Sequence, residues 1–330
     1  MAEAVNEMIG LADAVCSGDR RALARAITLV ESRRQDHRDQ AAALLDRLVT
    51  DTGDALRIGI SGVPGVGKST FIEAFGQYLV DRDHRVAVLA VDPSSALSGG
   101  SIMGDKTRME NLSRHPSAFI RPSPTAGTLG GVARRTREVM MLVEAAGFDI
   151  VIVETVGVGQ SETAVARMTD LFLLMLLPGG GDELQGIKRG IMELADLVIV
   201  NKADGDMEAA ATRAAADFSQ ALTLLQSPIS GWQVPVLQTS AIGAVGIGEV
   251  WQSINHFADL SRKAGAFDRR RADQAKSWLW DDIGDSLMDR FRRNVRVRDD
   301  LAKTEAKVAA GEMAPTKASH DLLARFFGES

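Results

Sequence analysis

Cysteine is the scarcest chemistry in this chain: one thiol, Cys16, among 330 residues. A single cysteine excludes an intramolecular disulfide and a cysteine-rich metal site. Cys16 itself reads as a small apolar residue of a helix. Histidine is hardly richer, and His37, His84, His115, His256 and His320 are scattered, so no soft-metal cluster stands out. Basic charge is not in excess either. With 38 Lys and Arg against 44 Asp and Glu, the formal net charge is −6, the wrong sign for a nucleic-acid partner. No apolar run approaches a membrane span. The start, Met1-Ala2-Glu3-Ala4-Val5-Asn6-Glu7, lacks a basic segment followed by an apolar one, so no secretory signal is expected. Tandem repeats and low-complexity tracts are missing too. The expectation is a cytoplasmic protein that works without membrane or nucleic acid. Hydrophobic residues at 45% and charged residues at 25% are ordinary globular values, and the length suits one main domain with additions.

What the chain does have is a phosphate loop. In Ile58-Gly59-Ile60-Ser61-Gly62-Val63-Pro64-Gly65-Val66-Gly67-Lys68-Ser69-Thr70, a run of β-formers meets a glycine-rich turn, and a helix pattern starts at Lys68. This is G-x-x-x-x-G-K-[ST]. Gly62, Gly65 and Gly67 let the backbone curl with its N–H groups inward, where side chains would keep phosphate oxygens out. Val63, Pro64, Val66 and Thr70 complete the cradle. The helix adds the positive end of its dipole. Lys68 supplies a point charge for the outer phosphates, and the Ser69 hydroxyl can ligate Mg²⁺.

Around this loop the period of the sequence changes twice. Residues 1–54 read as helical, with Leu11/Val15 and Leu23/Ile27 spaced i, i+4, and Ser17-Gly18-Asp19 breaking and capping between helices. From residue 55 to 262, nearly continuous apolar runs alternate with helical patterns. The runs are Leu56–Ser61, Val86–Val91, Asp149–Glu154, Leu171–Leu177, Leu197–Asn201 and Val234–Thr239. Runs of that kind suit parallel strands covered on both faces, so the fold expected is α/β, a doubly wound, mostly parallel sheet with helical extensions at both ends. Residues 263–330 read as helical again. Leu279, Ile283, Leu287 and Phe291 recur at i+4 beside Trp278 and Trp280, as in a dimerisation arm or a helix folded back on its own domain. Arg269-Arg270-Arg271 reads as a solvated face.

The remaining motifs fall at strand ends, where ligands collect in such sheets. Leu197-Val198-Ile199-Val200 runs into Asn201-Lys202-Ala203-Asp204, the N-K-x-D pattern of a guanine-reading loop. A carboxylate at Asp204 accepts hydrogen bonds from guanine N1–H and its exocyclic amine, whereas adenine offers an acceptor at N1. The Lys202 stem can lie along the base while Asn201 braces neighbouring loops. Thr239-Ser240-Ala241 follows another strand and places the N–H groups of Ser240 and Ala241, with Ile242 next, as the last base contact. The ligand pair expected is therefore GTP and GDP. Magnesium needs oxygen ligands beside the phosphates, and Asp92, Asp105 and Glu154 are the candidates, with helix capping the other reading of each.

Longer segments carry a resemblance. Asp92-Pro93-Ser94-Ser95, the loop from Ser98 to Met109, Arg121-Pro122-Ser123-Pro124-Thr125, Gly127-Thr128-Leu129-Gly130-Gly131-Val132-Ala133, Glu154-Thr155-Val156-Gly157-Val158-Gly159-Gln160-Ser161 and Gly180-Gly181-Asp182-Glu183-Leu184-Gln185-Gly186-Ile187-Lys188-Arg189-Gly190 together resemble the MeaB/ArgK/MMAA family of G3E P-loop GTPases. The resemblance implies a homodimer and a GTPase that is slow alone and made fast by its partner. It also implies protection and gated loading of adenosylcobalamin on that partner, methylmalonyl-CoA mutase. Glu154 then replaces the acid of D-x-x-G, and Gly157 supplies an N–H to the γ-phosphate. Lys188 is the candidate rate-accelerating cation, in a loop resembling the family's third switch where Asp182 and Glu183 can hold it off-site. An exposed lysine at a helix start is the alternative. No D-x-H-x-x-G motif for free cobalamin is present. Two other classes share parts of the pattern: a metal-insertion GTPase for another metalloenzyme, and a protein kinase linked to amino-acid transport.

Overall fold

The computed structural model describes residues 2–32, 34–91, 109–122, 129–155, 161–179, 189–223 and 229–328. The chain forms two compact units, Met1–Gln274 and Ala275–Ser330. Seven strands make one sheet in the first unit: β1 Leu56–Gly62, β2 Val86–Val91, β3 Ala118–Arg121, β4 Ile150–Thr155, β5 Leu171–Leu176, β6 Leu197–Asn201 and β7 Val236–Thr239. Their order is β3-β2-β4-β1-β5-β6-β7, and every pairing is parallel. Strands β2, β4, β5 and β6 are buried along their whole length, as their unbroken apolar runs require. Strand β3 lies beyond the runs anticipated from sequence. Its four residues, Ala118-Phe119-Ile120-Arg121, sit at the sheet edge, mostly half-buried and ending in a charge, which leaves no apolar run to notice.

The helices of this unit are α1 Ala2–Cys16, α2 Arg20–Glu31, α3 Gln35–Leu48, α4 Lys68–Val80, α5 Glu110–Arg114, α6 Leu129–Ala145, α7 Ser161–Ala166, α8 Arg189–Met192, α9 Glu208–Leu222 and α10 Ile247–Lys263. The Asp19 carboxylate accepts from the N–H groups of Arg21 (2.7 Å) and Ala22 (3.1 Å), so the predicted cap of α2 forms. Cys16 ends α1 and is exposed. Helices α2 and α3 pack on α6, and Arg121 pairs with Glu31, which ties β3 to α2. On the other face, Phe71 and Phe75 of α4 stack at 5.5 Å, and Trp251 of α10 closes on Phe75.

A charged network occupies the amino ends of the central strands. Arg57 of β1 donates to Glu144 at 2.5 and 3.0 Å, and its backbone N–H donates to Asp170 at 2.8 Å. Arg271 reaches both oxygens of Asp170, at 2.8 and 2.6 Å, and donates to the carbonyls of Gly53 and Ala55. Arg270 pairs with Asp196 at 2.9 and 3.1 Å. The solvated face expected of Arg269-Arg270-Arg271 is thus corrected. Only Arg269 is exposed; its two neighbours neutralise buried carboxylates.

Helix α11, Ala266–Arg293, runs from the first unit into the second, where α12 Val295–Ala309 and α13 Pro315–Phe327 pack on each other. Val297, Ala318 and Leu322 are buried between them, and Phe326 meets Phe291 at 5.5 Å. Leu279, Trp280, Ile283, Leu287 and Met288 of α11 stay exposed.

Candidate nucleotide site

Strand β1 delivers the phosphate loop to the carboxyl edge of the sheet. Gly65 and Gly67 adopt φ of +81° and +93°, the left-handed region that glycine occupies without strain. A side chain at Gly62 would strike the Met175 carbonyl of β5. Val66 is fully buried and pins the loop to the core, while Pro64, Gly65 and Thr70 are exposed and Val63, Gly67 and Ser69 lie half-buried. Lys68 opens α4 with its ammonium donating to the Gly62 carbonyl at 2.7 Å. Burial pushes the Lys68 pKa below the usual lysine value, and the carboxylates of Glu154 and Glu162 oppose that shift.

One residue ties this loop to the purine side. The Asn201 amide donates to the Val66 carbonyl at 2.8 Å, and its oxygen accepts from the Thr239 hydroxyl at 3.1 Å. Asn201 therefore joins the phosphate loop, the end of β6 and the end of β7. Lys202 follows in the left-handed region at φ +61° and is exposed. The Ser240 hydroxyl donates to the Asp204 carboxylate and accepts from the Gly243 N–H at 3.0 Å. Ser240 and Val245 exchange two backbone hydrogen bonds of 3.0 Å, closing a tight loop. In that loop Ala241 is buried and Ile242 is 88% exposed. Asn201, Lys202, Asp204, Ser240, Ala241 and Ile242 thus lie at the ends of two adjacent strands.

Glu154 sits near the end of β4, in register with Ile60 of β1 and Ala90 of β2, and is buried. Next to it, the hydroxyls of Thr155 and Ser61 share a 3.0 Å hydrogen bond. Asp92, Asp105, Gly157, Asp182 and Lys188 lie outside the described residues. Ser69 and Glu154 offer oxygen alone, which suits a hard cation such as Mg²⁺ completed by phosphate and water. Among the described residues no three His, Cys, Asp or Glu gather as a soft-metal site would need.

Three further groups were not anticipated. The Thr239 hydroxyl holds Asn201, and its only sequence signal was its place before Ser240. Glu162, buried on α7, contributes negative charge at Lys68; its signal was an acid eight residues beyond Glu154. Glu73 of α4 reaches α5, and nothing local marks it among the acids of an amphipathic helix.

The family model described as methylmalonyl Co-A mutase-associated GTPase MeaB matches residues 23–296, which include every loop of this site. The chain belongs to the MeaB family. A probable GTPase of Mycobacterium tuberculosis is 55% identical over 314 residues, spanning 95% of this chain and 94% of that protein. The mitochondrial methylmalonic aciduria type A homolog of Mus musculus is 48% identical over 320 residues, covering 94% of this chain and 77% of that one. Among solved structures, that of a LAO/AO transport system kinase superposes with a TM-score of 0.75 at 38% identity and covers 96% of each chain. MeaB-family membership and this structural likeness agree with the expected P-loop GTPase architecture. No described helix is long and apolar enough to cross a membrane.

Proposed function

We propose that this MeaB-family chain is a Mg²⁺-dependent GTP hydrolase, slow alone and accelerated by a partner, that protects and gates adenosylcobalamin loading of methylmalonyl-CoA mutase. The observation that supports the nucleotide part is the Asn201 bridge, which ties Val66 of the phosphate loop to Thr239 at the end of β7, beside the loop that carries Asp204. The family description and the methylmalonic aciduria relative support the choice of partner.

Residues Gly62–Thr70 cradle the phosphates, with Lys68 leaving the Gly62 carbonyl for the outer phosphate oxygens. Asp204, oriented by Ser240, accepts from guanine N1–H and its amine. Lys202 lies along the base, and the N–H groups at Ser240, Ala241 and Ile242 face its carbonyl. Ser69, Glu154, Asp92 and Asp105 are the residues that would hold magnesium, directly or through water. A magnesium ion held by these residues would supply charge neutralisation at the phosphates. Gly157 offers its N–H to the γ-phosphate. Lys188, released from Asp182 when the partner docks, adds a cation at the transferring group, an addition of the kind worth about 10³–10⁵ in rate. The exposed stripe of α11 serves as a homodimer contact, and the site of action is the cytoplasm.

Calorimetry with GTP, GDP and ATP in the presence of Mg²⁺ tests the nucleotide part; ATP held as tightly as GTP overturns it. Pull-down of the mutase in GDP and in a non-hydrolysable GTP analogue tests the chaperone part, which requires nucleotide-sensitive binding. Chromatographic separation of free phosphate from phosphoprotein distinguishes hydrolysis from the kinase activity in the name of the solved relative.

A further inference from the structure

The corner where α11 meets α12, within the second unit, concentrates a charge opposite to that of the chain. Residues 290–298 hold five arginines and no acid, in a sequence whose formal net charge is −6. Arg290, Arg292, Arg293, Arg296 and Arg298 are all exposed. Arg298 pairs with its neighbour Asp299 at 3.2 Å, and Asp300 is engaged by Arg325. Arg290, Arg292, Arg293 and Arg296 form no ion pair or side-chain hydrogen bond with a described residue. The corner is also stiff. Asn294 alone separates the two helices: its side chain accepts from the Arg296 N–H at 2.9 Å, and its carbonyl accepts from the N–H groups of Val297 (3.0 Å) and Arg298 (2.8 Å). Behind it, Phe291, Phe326 and Phe327 form a run of rings with centroids 5.5 and 5.2 Å apart, which ends on the surface at Phe327. The Arg296 guanidinium lies beside Gly328, the residue after Phe327. Leu287, Met288 and Val295 are exposed around the same turn.

Helix dipoles explain part of this charge. Arg290, Arg292 and Arg293 fall in the last turn of α11, where a cation is favoured. The first turn of α12 carries Arg296 and Arg298 and no acid, the unfavourable arrangement for that end of a helix. Arg290 and Arg293, spaced i, i+3, add like-charge repulsion. A local rule broken without a compensating contact inside the chain points to a contact made outside it. We propose that the α11–α12 corner is a docking surface for an acidic protein surface. Its carboxylates take the guanidinium forks of Arg290, Arg292, Arg293 and Arg296, while apolar groups cover Phe327, Val295 and Met288. Arginine interleaved with methionine and phenylalanine is the composition of protein–protein contacts. A net negative chain is a poor match for nucleic acid or an anionic bilayer. The inference rests on the partner reading above, and adds to it the face that meets the mutase.

The test is binding of the full chain to immobilised mutase, in the nucleotide state that binds more tightly, at several salt concentrations. Wild-type affinity should fall as salt rises, mainly through slower association. The double variant Arg292→Glu, Arg296→Glu, which leaves the α11 stripe untouched, should raise the Kd by at least about tenfold and flatten the salt dependence. Its hydrolysis of GTP without partner, its sedimentation and its urea midpoint should match the wild type. If charge reversal lowers that midpoint, Arg292→Gln, Arg296→Gln takes its place and should shift the Kd in the same direction, by less. Equal Kd in the wild type and both variants overturns the inference and leaves the partner reading intact. Capture of the wild type but not the variant by duplex DNA or phosphatidylserine vesicles, with mutase binding unaltered, also overturns it and reassigns the corner to a polyanion. A wild type that the mutase holds in no nucleotide state overturns both.

Discussion

Asp204 and Ser240 show how much a single side chain can decide at this site. In the proposed role the Asp204 carboxylate must face the base edge, and the bond it accepts from the Ser240 hydroxyl, itself braced by the Gly243 N–H, restricts its orientation. Replacing Asp204 with asparagine turns amide donors toward guanine donors. We expect GTP affinity to fall by at least about 10²-fold, with xanthosine triphosphate, which has a carbonyl in place of the amine, now preferred. Calorimetry with both nucleotides checks this, and unchanged GTP binding removes Asp204 from the base site. Ser240→Ala should weaken GTP by about five- to tenfold, the worth of roughly one net hydrogen bond, without improving ATP. At this scale the sequence was informative where chemistry forces a spacing, as in Gly62–Ser69 and Asn201–Asp204. It was silent where a residue acts across the fold. Thr239 holds Asn201 and Glu73 caps α5 through contacts 38 residues apart in each case, and no local pattern encodes either.

Elements were legible in proportion to their length and burial. The six apolar runs became β1, β2, β4, β5, β6 and β7. The first five are buried almost throughout, so few polar positions interrupt their pattern, whereas β7 is a half-buried edge strand of four residues that was legible because its apolar run starts earlier, at Val234. The edge strand β3, at four residues, and the five- and six-residue helices α5 and α7 are shorter than the window in which a period can be recognised. Gly59 shows what such a short helix needs. A Cβ there would lie 2.7 Å from the Thr169 hydroxyl and 2.9 Å from a Val165 methyl, so α7 rests on bare β1 backbone. Gly59→Ala should destabilise the fold by about 1–3 kcal/mol through overpacking, read as a lower urea midpoint with unchanged slope. A midpoint equal to wild type would mean that α7 does not press on β1.

For the whole molecule, partners that meet over long sequence separations decide the outcome, and these the sequence hid most completely. Three consecutive arginines look solvated in one dimension. In the fold, Arg271 finds Asp170 from 101 residues away and Arg270 finds Asp196 from 74. Asp170→Ala would leave Arg271 partly buried without its bidentate partner, and the Arg57 N–H without its acceptor. A loss of about 3–5 kcal/mol follows from breaking a buried pair on one side, measurable by thermal or urea unfolding. The exposed stripe of α11 asks the opposite question, because here apolar side chains stay largely uncovered by the described residues. Leu279, Trp280, Ile283 and Leu287 are 58%, 71%, 38% and 54% exposed, and a side chain at Gly284 would meet nothing within 4 Å. Covering one such side chain gains about 1.5–3 kcal/mol, and a second copy presenting the same stripe gains twice over, since an isologous contact uses each residue two times. If the proposed homodimer forms through α11, the wild type should sediment as a dimer and, at the same concentration, the double variant Trp280→Glu, Ile283→Glu as a monomer. Its unfolding midpoint as a single chain should barely move, because both side chains are at least partly solvated there. A variant that still sediments with the wild type would show that the two copies do not meet through α11.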